Sequence, residues 1–353
     1  MIDFLVIGGG IAGVSAAARL SALGSVTLLE AEDRLGHHAT GRSAAVFEET
    51  YGAPSTVALS RASRSELEDR AVLSPRGLMM VARAEEDQAF EHDLIALEMT
   101  EIGLGEAQER FPILGPAAIR AAFQPDTFDL DTDRLLQGFL REAKANGAQV
   151  VSRSPVTAIR RTGAGWTVEA GATYEAHVLV NAAGAWADSV AVMAGLPPLS
   201  LQPMRRSMAR IPSPLDPSSW PMVLGAGESW YMKPDAGALL VSPAEEQPQE
   251  PHDAWADDMV LAEGLARFEE NVTMEVTRLL ASWAGLRTFA PDRQLVLGPD
   301  PLEPAFLWCA GQGGYGFQTS CAASRHLAEL AGGGPTTLGA ELAAALSPAR
   351  LRT

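Results

Sequence analysis

FLVIGGGIAGVSAAARLSALGSVTLLE, residues 4–30, sets three consecutive glycines between an apolar run and a segment of helical pattern. Phe4 to Ile7 is short, β-branched and apolar, the texture of a strand buried on both faces of a parallel sheet. From Ile11, apolar and alanine positions recur at helical spacing, and Val26 to Leu29 makes a second buried strand ending in Glu30. Together they form a βαβ unit. Gly8, Gly10 and Gly13 fall in the G-x-G-x-x-G frame: one for the tight turn, one for close backbone approach to a pyrophosphate, one for helix–strand packing. Glu30 stands where a carboxylate accepts hydrogen bonds from a ribose, so the stretch reads as a dinucleotide site with its phosphates at a helix N-terminus.

A chain of 353 residues with 47% hydrophobic content can bury a large core, and two domains are expected. Its formal charge of −17, from 44 acids against 27 bases, repels phosphate backbones, and no Lys/Arg cluster forms a nucleic-acid footprint. Cys309 and Cys321 are too few for a disulfide framework, and neither they nor the six histidines show metal-ligand spacing, so no metal is expected. The N-terminus reads as a folded strand rather than a signal peptide, and no run approaches the ~20 apolar residues of a membrane span. A cytoplasmic location, free or membrane-peripheral, fits this usage.

Two textures alternate along the chain. One is βα-like: residues 1–30, a helix over 133–145, strands over 148–152 and 177–181, and the closing FLWCAGQGGYGFQTSCAASRHLAELAGG. The other is rich in strands, Pro and Trp: 77–84, 201–211, ESWYMKP and ALLVSPA. A long amphipathic helix is expected over 259–280. Because the second texture interrupts the first twice, the pattern implies a discontinuous dinucleotide domain carrying an inserted domain, with a cleft between them.

One glycine motif does not separate NAD from FAD. Near the C-terminus, however, a strand at 306–310 leads through GQGGYGFQTS into a helix from about Gly316. A second glycine-rich helix N-terminus suits a flavin, whose N1 and C2 carbonyl edge becomes anionic on reduction. Here the chain resembles the FAD-dependent D-amino acid oxidase and dehydrogenase family, most closely its bacterial D-arginine dehydrogenase type. The resemblance is carried by VIGGGIAG, HHATGRSAA, DLDTDRLLQGFLR, VLVNAAGAWAD, LQPMRRS, ESWYMKPDAG, SWAGLRTFAPD and GQGGYGFQTS. It implies an α/β (α+β two-domain) fold: a Rossmann-like FAD-binding domain over 1–75, 132–200 and 290–353, and an antiparallel-sheet substrate domain over 76–131 and 201–289.

It also implies roles. FAD would be held non-covalently by Gly8, Gly10, Ile11, Ala12, Gly13, Glu30 and Ala31. From the second block, His38, Thr40, Gly41, Arg42, Ser43, Ala44 and Ala45 would approach the flavin ring and pyrophosphate, with Arg42 and Ser43 giving polar contacts. Val156 would meet the adenine; Ala183, Gly184 and Trp186 would close the domain near the pyrophosphate, Trp186 by packing. Gly313, Gly316, Phe317, Gln318 and Thr319 would complete the cofactor site. Arg287, between apolar residues in a strand, is costly to bury unpaired; the resemblance makes it a fork for the substrate α-carboxylate, against a structural ion pair as the other reading. Tyr51, Tyr231, Arg206 and the Gly314 carbonyl match positions beside the substrate, and Val46, Glu48, Leu78, Tyr315 and Gln318 match its pocket. The implied reaction is hydride transfer from the Cα of a D-amino acid to flavin N5, then hydrolysis of the imine to a 2-oxo acid and ammonia, with orientation supplying the rate.

Two substitutions depart from the D-arginine type. Leu78 replaces a glutamate that would pair with a guanidinium side chain, a loss of about 1.5 to 3 kcal/mol, and Val46 replaces a polar residue. Glu48 pulls the other way, as an acid on the active-site loop. Broad specificity tilted to apolar D-amino acids is therefore expected, with quinone or oxygen as electron acceptor. Oxidation of sarcosine or another secondary amine, an NAD-dependent dehydrogenase, and a non-catalytic flavin-binding module are the alternatives.

Overall fold

In a computed structural model describing residues 1–352, strand Ile2–Ile7 lies parallel between Val26–Leu29 and Thr173–Asn181, joined to the former by helix Ile11–Leu20. Gln149–Val151 extends the sheet beyond Val26–Leu29, and Phe306–Ala310 pairs with the last residues of Thr173–Asn181. The hairpin Ala158–Arg161 and Trp166–Glu169 completes one edge, and Val296–Pro299 lies antiparallel to Phe306–Ala310. The central strands are apolar on both faces because both are covered. Ile11–Leu20, Pro54–Asp69, Thr132–Ala145 and Gly316–Ala331 pack on one side, where Val6, Leu28 and Phe139 are buried, and Ala187–Met193 with the hairpin packs on the other against Leu5, Trp166 and Trp308. Arg19, Arg70 and Arg325 all pair with Glu66, tying three of these helices together.

A second sheet of nine strands runs in the order Gln247–Pro248, Gln202–Pro212, Ala238–Ser242, Tyr231–Asp235, Met222–Gly225, Leu78–Ala82, Arg120–Gln124, Thr100–Ile102, with Ala281–Phe289 along the other stretch of Gln202–Pro212. All pairs are antiparallel except Met222–Gly225 with Leu78–Ala82. Strand alternation divides its side chains: Met79, Val81, Val223 and Met232 enter a core under helix Asp258–Glu270, whereas Leu78, Leu224 and Tyr231 face the first domain. A small sheet of Val46–Phe47, Phe128–Leu130 and Leu73–Pro75 bridges the two. No helix among the described residues is long and apolar enough to cross a membrane.

The helix expected over 259–280 stops at Glu270. Asn271 is followed by a β-branched run poor in helix propensity, and its backbone is captured elsewhere: Gly115 N–H donates to Asn271 O at 2.8 Å and Thr273 N–H to Ile113 O at 2.8 Å. Residues 281–289 then form a strand, as expected around Arg287.

Gly13 touches Gly8 across the helix–strand contact, and a Cβ there would lie 1.9 Å from the Gly8 carbonyl oxygen. Gly13→Ala is expected to cost about 3 kcal/mol by overpacking; an unchanged urea midpoint would rule the contact out. Burial pushes both thiols, Cys309 and Cys321, up to about 12. They stay protonated when folded while the unfolded chain ionises in the ordinary thiol range, so stability should fall as pH rises from about 8.5. Iodoacetamide should leave both unmodified in the native state and alkylate both on unfolding.

Candidate active site

The parallel strands end at a cavity of about 420 Å³. Gly8 turns out of its strand at φ +110°, and a Cβ there would sit 2.3 Å from the Ala182 carbonyl oxygen, so only glycine fits. Gly10 caps the first helix with no side chain of its own, and Ile11 N–H donates to Thr40 Oγ1 at 3.0 Å. Glu30 is buried, its carboxylate oxygens accepting from Gly9 N–H at 2.7 Å and Glu32 N–H at 2.8 Å. Ala31, Val156, Ala183 and Gly184 line the same cavity, and Trp186 lines it too, stacked on His38 with ring centroids 4.7 Å apart. Gly13 and Gly41 line no cavity; both allow close backbone packing, Gly41 against the Gly36 carbonyl oxygen.

Arg42, Ser43 and His38 of the HHATGRSAA block all line the cavities, and each also has protein partners. Arg42 borders the cavity, but its guanidinium donates to Ala254 O at 2.7 Å and Ala284 O at 2.9 Å and pairs with Asp253, leaving it a tie to the other domain. Ser43 Oγ accepts from Ala45 N–H at 3.1 Å, an internal bond of the loop. His38 meets Glu32 at 2.9 Å, and Glu32, His37 and His38 hold potential ligand atoms within 4.8 Å of one another, a grouping their sequence spacing does not announce.

The large cavity continues into a second of about 130 Å³, sharing Gly10, Thr40, Arg42 and Gly184, and then into a third of about 100 Å³. Ile11, Ala12, Gly313 and Gly316 line the second; Ser43, Ala44, Gly314 and Phe317 line the second and third. The far wall is one face of the large sheet. Arg287 lies opposite Met204 in the antiparallel register and Gly285 opposite Arg206, so the two arginines are diagonal neighbours on that face. Tyr231, Leu224, Met222 and Leu78 follow on the same face by alternation and register. Arg287 opens into both inner cavities, and a Cβ on Gly314 would lie 3.0 Å from its Nη1. Among the described residues it makes no salt bridge and donates to no protein acceptor; Tyr231, Tyr51 and Tyr315 are its neighbours. Burial first, then Glu228, pushes the Tyr51 phenol well up, and its hydroxyl donates to Glu228 Oε2 at 2.8 Å.

Other residues sit differently from expectation. Arg206 borders both inner cavities but is paired: Nε donates to Glu245 O at 2.9 Å and Nη2 meets Glu246 at 3.3 Å. Glu48 lines the third cavity, yet it is buried and satisfied by Thr50 N–H, Thr50 Oγ1, Gln124 Nε2 and Thr127 Oγ1, so it is no free acid on a loose loop. Tyr315 packs between Tyr51 and Phe289. Gln318 faces the third cavity and bonds Glu48 N–H and Ser60 rather than a cofactor, and Thr319 is buried in its helix, donating to Tyr315 O at 2.9 Å. Ala45, at φ +42°, and Val46 line the third cavity. Sequence reading missed Leu97, Met222, Leu224 and Trp230; the register of the large sheet, invisible in the chain, brings the middle two there.

A family model, "DAO: FAD dependent oxidoreductase", matches residues 3–330. Glycine oxidase of Bacillus licheniformis is 26% identical, covering 94% of this chain and 94% of its own. Among solved structures, L-proline dehydrogenase from P. horikoshii superposes with a TM-score of 0.86 at 22% identity over 99% of this chain and 98% of its own. Iminodiacetate oxidase from Chelativorans sp. BNC1 superposes with 0.81 at 22% identity, covering 98% of each chain. The glycine turn, the Glu30 carboxylate and an elongated cavity ending at a flavin-suited second helix N-terminus fit FAD, and with the family match over nearly the whole length they show that the chain belongs to the DAO family of FAD-dependent oxidoreductases.

Proposed function

We propose that the protein oxidatively deaminates D-amino acids, with broad specificity tilted to apolar side chains. The observation that carries this reading is Arg287: a guanidinium deep in the fold, without a protein anion, open to a small cavity that is continuous with the dinucleotide site. A half-buried cation without an ion-pair partner favours an anionic ligand, and a carboxylate taken bidentately is the ligand its geometry suits. Glycine, L-proline and iminodiacetate, named in the relatives, each pair an amine with a carboxylate one carbon away. The D configuration rests on the resemblance of the sequence blocks.

The Gly8–Gly13 turn, Glu30 and the 313–317 turn would hold FAD non-covalently, and FAD would supply a two-electron acceptor for the Cα–H bond. The chain's own residues orient the substrate. Arg287 fixes the carboxylate, Tyr51 and Tyr231 flank it, and the Gly314 carbonyl takes the amine. Side chains then point toward Leu78, Leu97, Met222, Leu224 and Trp230. With Leu78 in place of an acid and Glu48 already satisfied, Glu228 is the one carboxylate of the cavity that a guanidinium substrate would still meet. The named substrates L-proline and iminodiacetate favour a second reading, a secondary amine such as sarcosine.

Arg287→Met should lose amino-acid-dependent flavin bleaching while keeping its bound flavin spectrum, and Arg287→Lys should lower kcat/KM about 10- to 100-fold; bleaching at the wild-type rate in Arg287→Met would overturn the carboxylate role. In anaerobic mixing, D-Leu and D-Met should bleach the flavin at lower concentrations than D-Arg, L-amino acids should not, and sarcosine should be slower. Preference for D-Arg sinks the apolar tilt, and preference for sarcosine supports the second reading. Admitting air then separates oxygen from an acceptor such as a quinone by the rate of reoxidation.

A further inference from the structure

Two guanidinium groups share the sheet face over the inner cavities, yet their electrostatic situations are opposite. Arg287 makes no direct ion pair, Glu246 acting on it only at longer range, whereas Arg206, 8% exposed, is held by the Glu245 carbonyl and by Glu246 Oε1. Glu246 is itself fixed: both its carboxylate oxygens accept from Arg293 Nη2, at 3.0 and 2.9 Å, and the Arg293 guanidinium lies 4.0 Å over the Phe289 ring. The preceding residue is anchored as well, Glu245 Oε1 accepting from Ser207 N–H at 2.7 Å. Glu246 is therefore held between Arg206 and Arg293. The third cavity adds two further carboxylates, Glu48 and Glu228, to its lining.

Resting on the reading of Arg287 as the carboxylate fork, we propose that Glu246 is a specificity-determining residue that restricts the site to ligands with a single carboxylate. By neutralising Arg206 it leaves one uncompensated cation on the face. A first carboxylate is taken by Arg287; a second, on an acidic side chain or an N-substituent, meets an arginine already paired and the carboxylates of Glu48 and Glu228. Exclusion by occupied cations and like charge is a repulsive means of specificity. Without Glu246, Arg206 and Arg287 together would form a dianion site.

The FAD-loaded protein can be titrated with butyrate and with succinate, following the perturbation of the visible flavin spectrum, which needs no turnover. Wild type should bind butyrate about tenfold or more tighter than succinate. Glu246→Gln should tighten succinate about tenfold while leaving butyrate within about twofold, and Glu246→Asp, which keeps the charge, should retain the wild-type preference. In an Arg206→Met background, Glu246→Gln should no longer help succinate. Succinate binding as well as butyrate in wild type, or a ratio unmoved by Glu246→Gln, would overturn the assignment while leaving the Arg287 reading intact. No butyrate binding at all would overturn both.

Discussion

Everything in the cofactor half follows from one close approach, Gly13 against the Gly8 carbonyl. A side chain at Gly13 would push the first helix off the first strand, and one at Gly8 would strike the Ala182 carbonyl of the neighbouring strand. The glycines let the helix axis start at the strand's carboxyl end, so its unsatisfied N–H groups face the cavity where a pyrophosphate belongs. The chain then returns, some three hundred residues later, with strand Phe306–Ala310 and helix Gly316–Ala331 beside the same point. The flavin end of the cavity is thus assembled from the two ends of the sequence.

The substrate half depends on a different regularity, the pleat of the large sheet. Leu78, Leu224, Tyr231, Arg206 and Arg287 come from five strands, and what unites them is that each falls on the same side in the pairing register. This explains how an arginine can be deep in the fold without a partner. Its strand is fixed by backbone pairing to Gln202–Pro212, and that ladder, not a salt bridge, holds it over the cavity.

Legibility in the sequence tracked the range of the physics. The βαβ unit, the strands near 78–82, 231–235 and 306–310, and the helix from Gly316 are local patterns, and their texture was enough. The end of the helix at Glu270 was only half legible: the β-branched residues after Asn271 are local, but the capture of that backbone by the loop at 113–115 comes from far away in the chain. The same division holds in the site. Gly8, Glu30 and Arg287 announce themselves through turn chemistry, strand-end position and the cost of burying a charge. That Arg206 is paired, that Arg42 is turned to the other domain and that Glu48 is already satisfied depend on partners 40 to about 200 residues away, which no spacing records.

Arg42 carries one last implication. Its side chain starts in the cofactor loop and ends on two backbone carbonyls and an aspartate of the substrate domain, in the stretch that borders both the large cavity and the middle one. A dinucleotide laid along that border would therefore be flanked by a link between the two domains as well as by its own phosphate cradle.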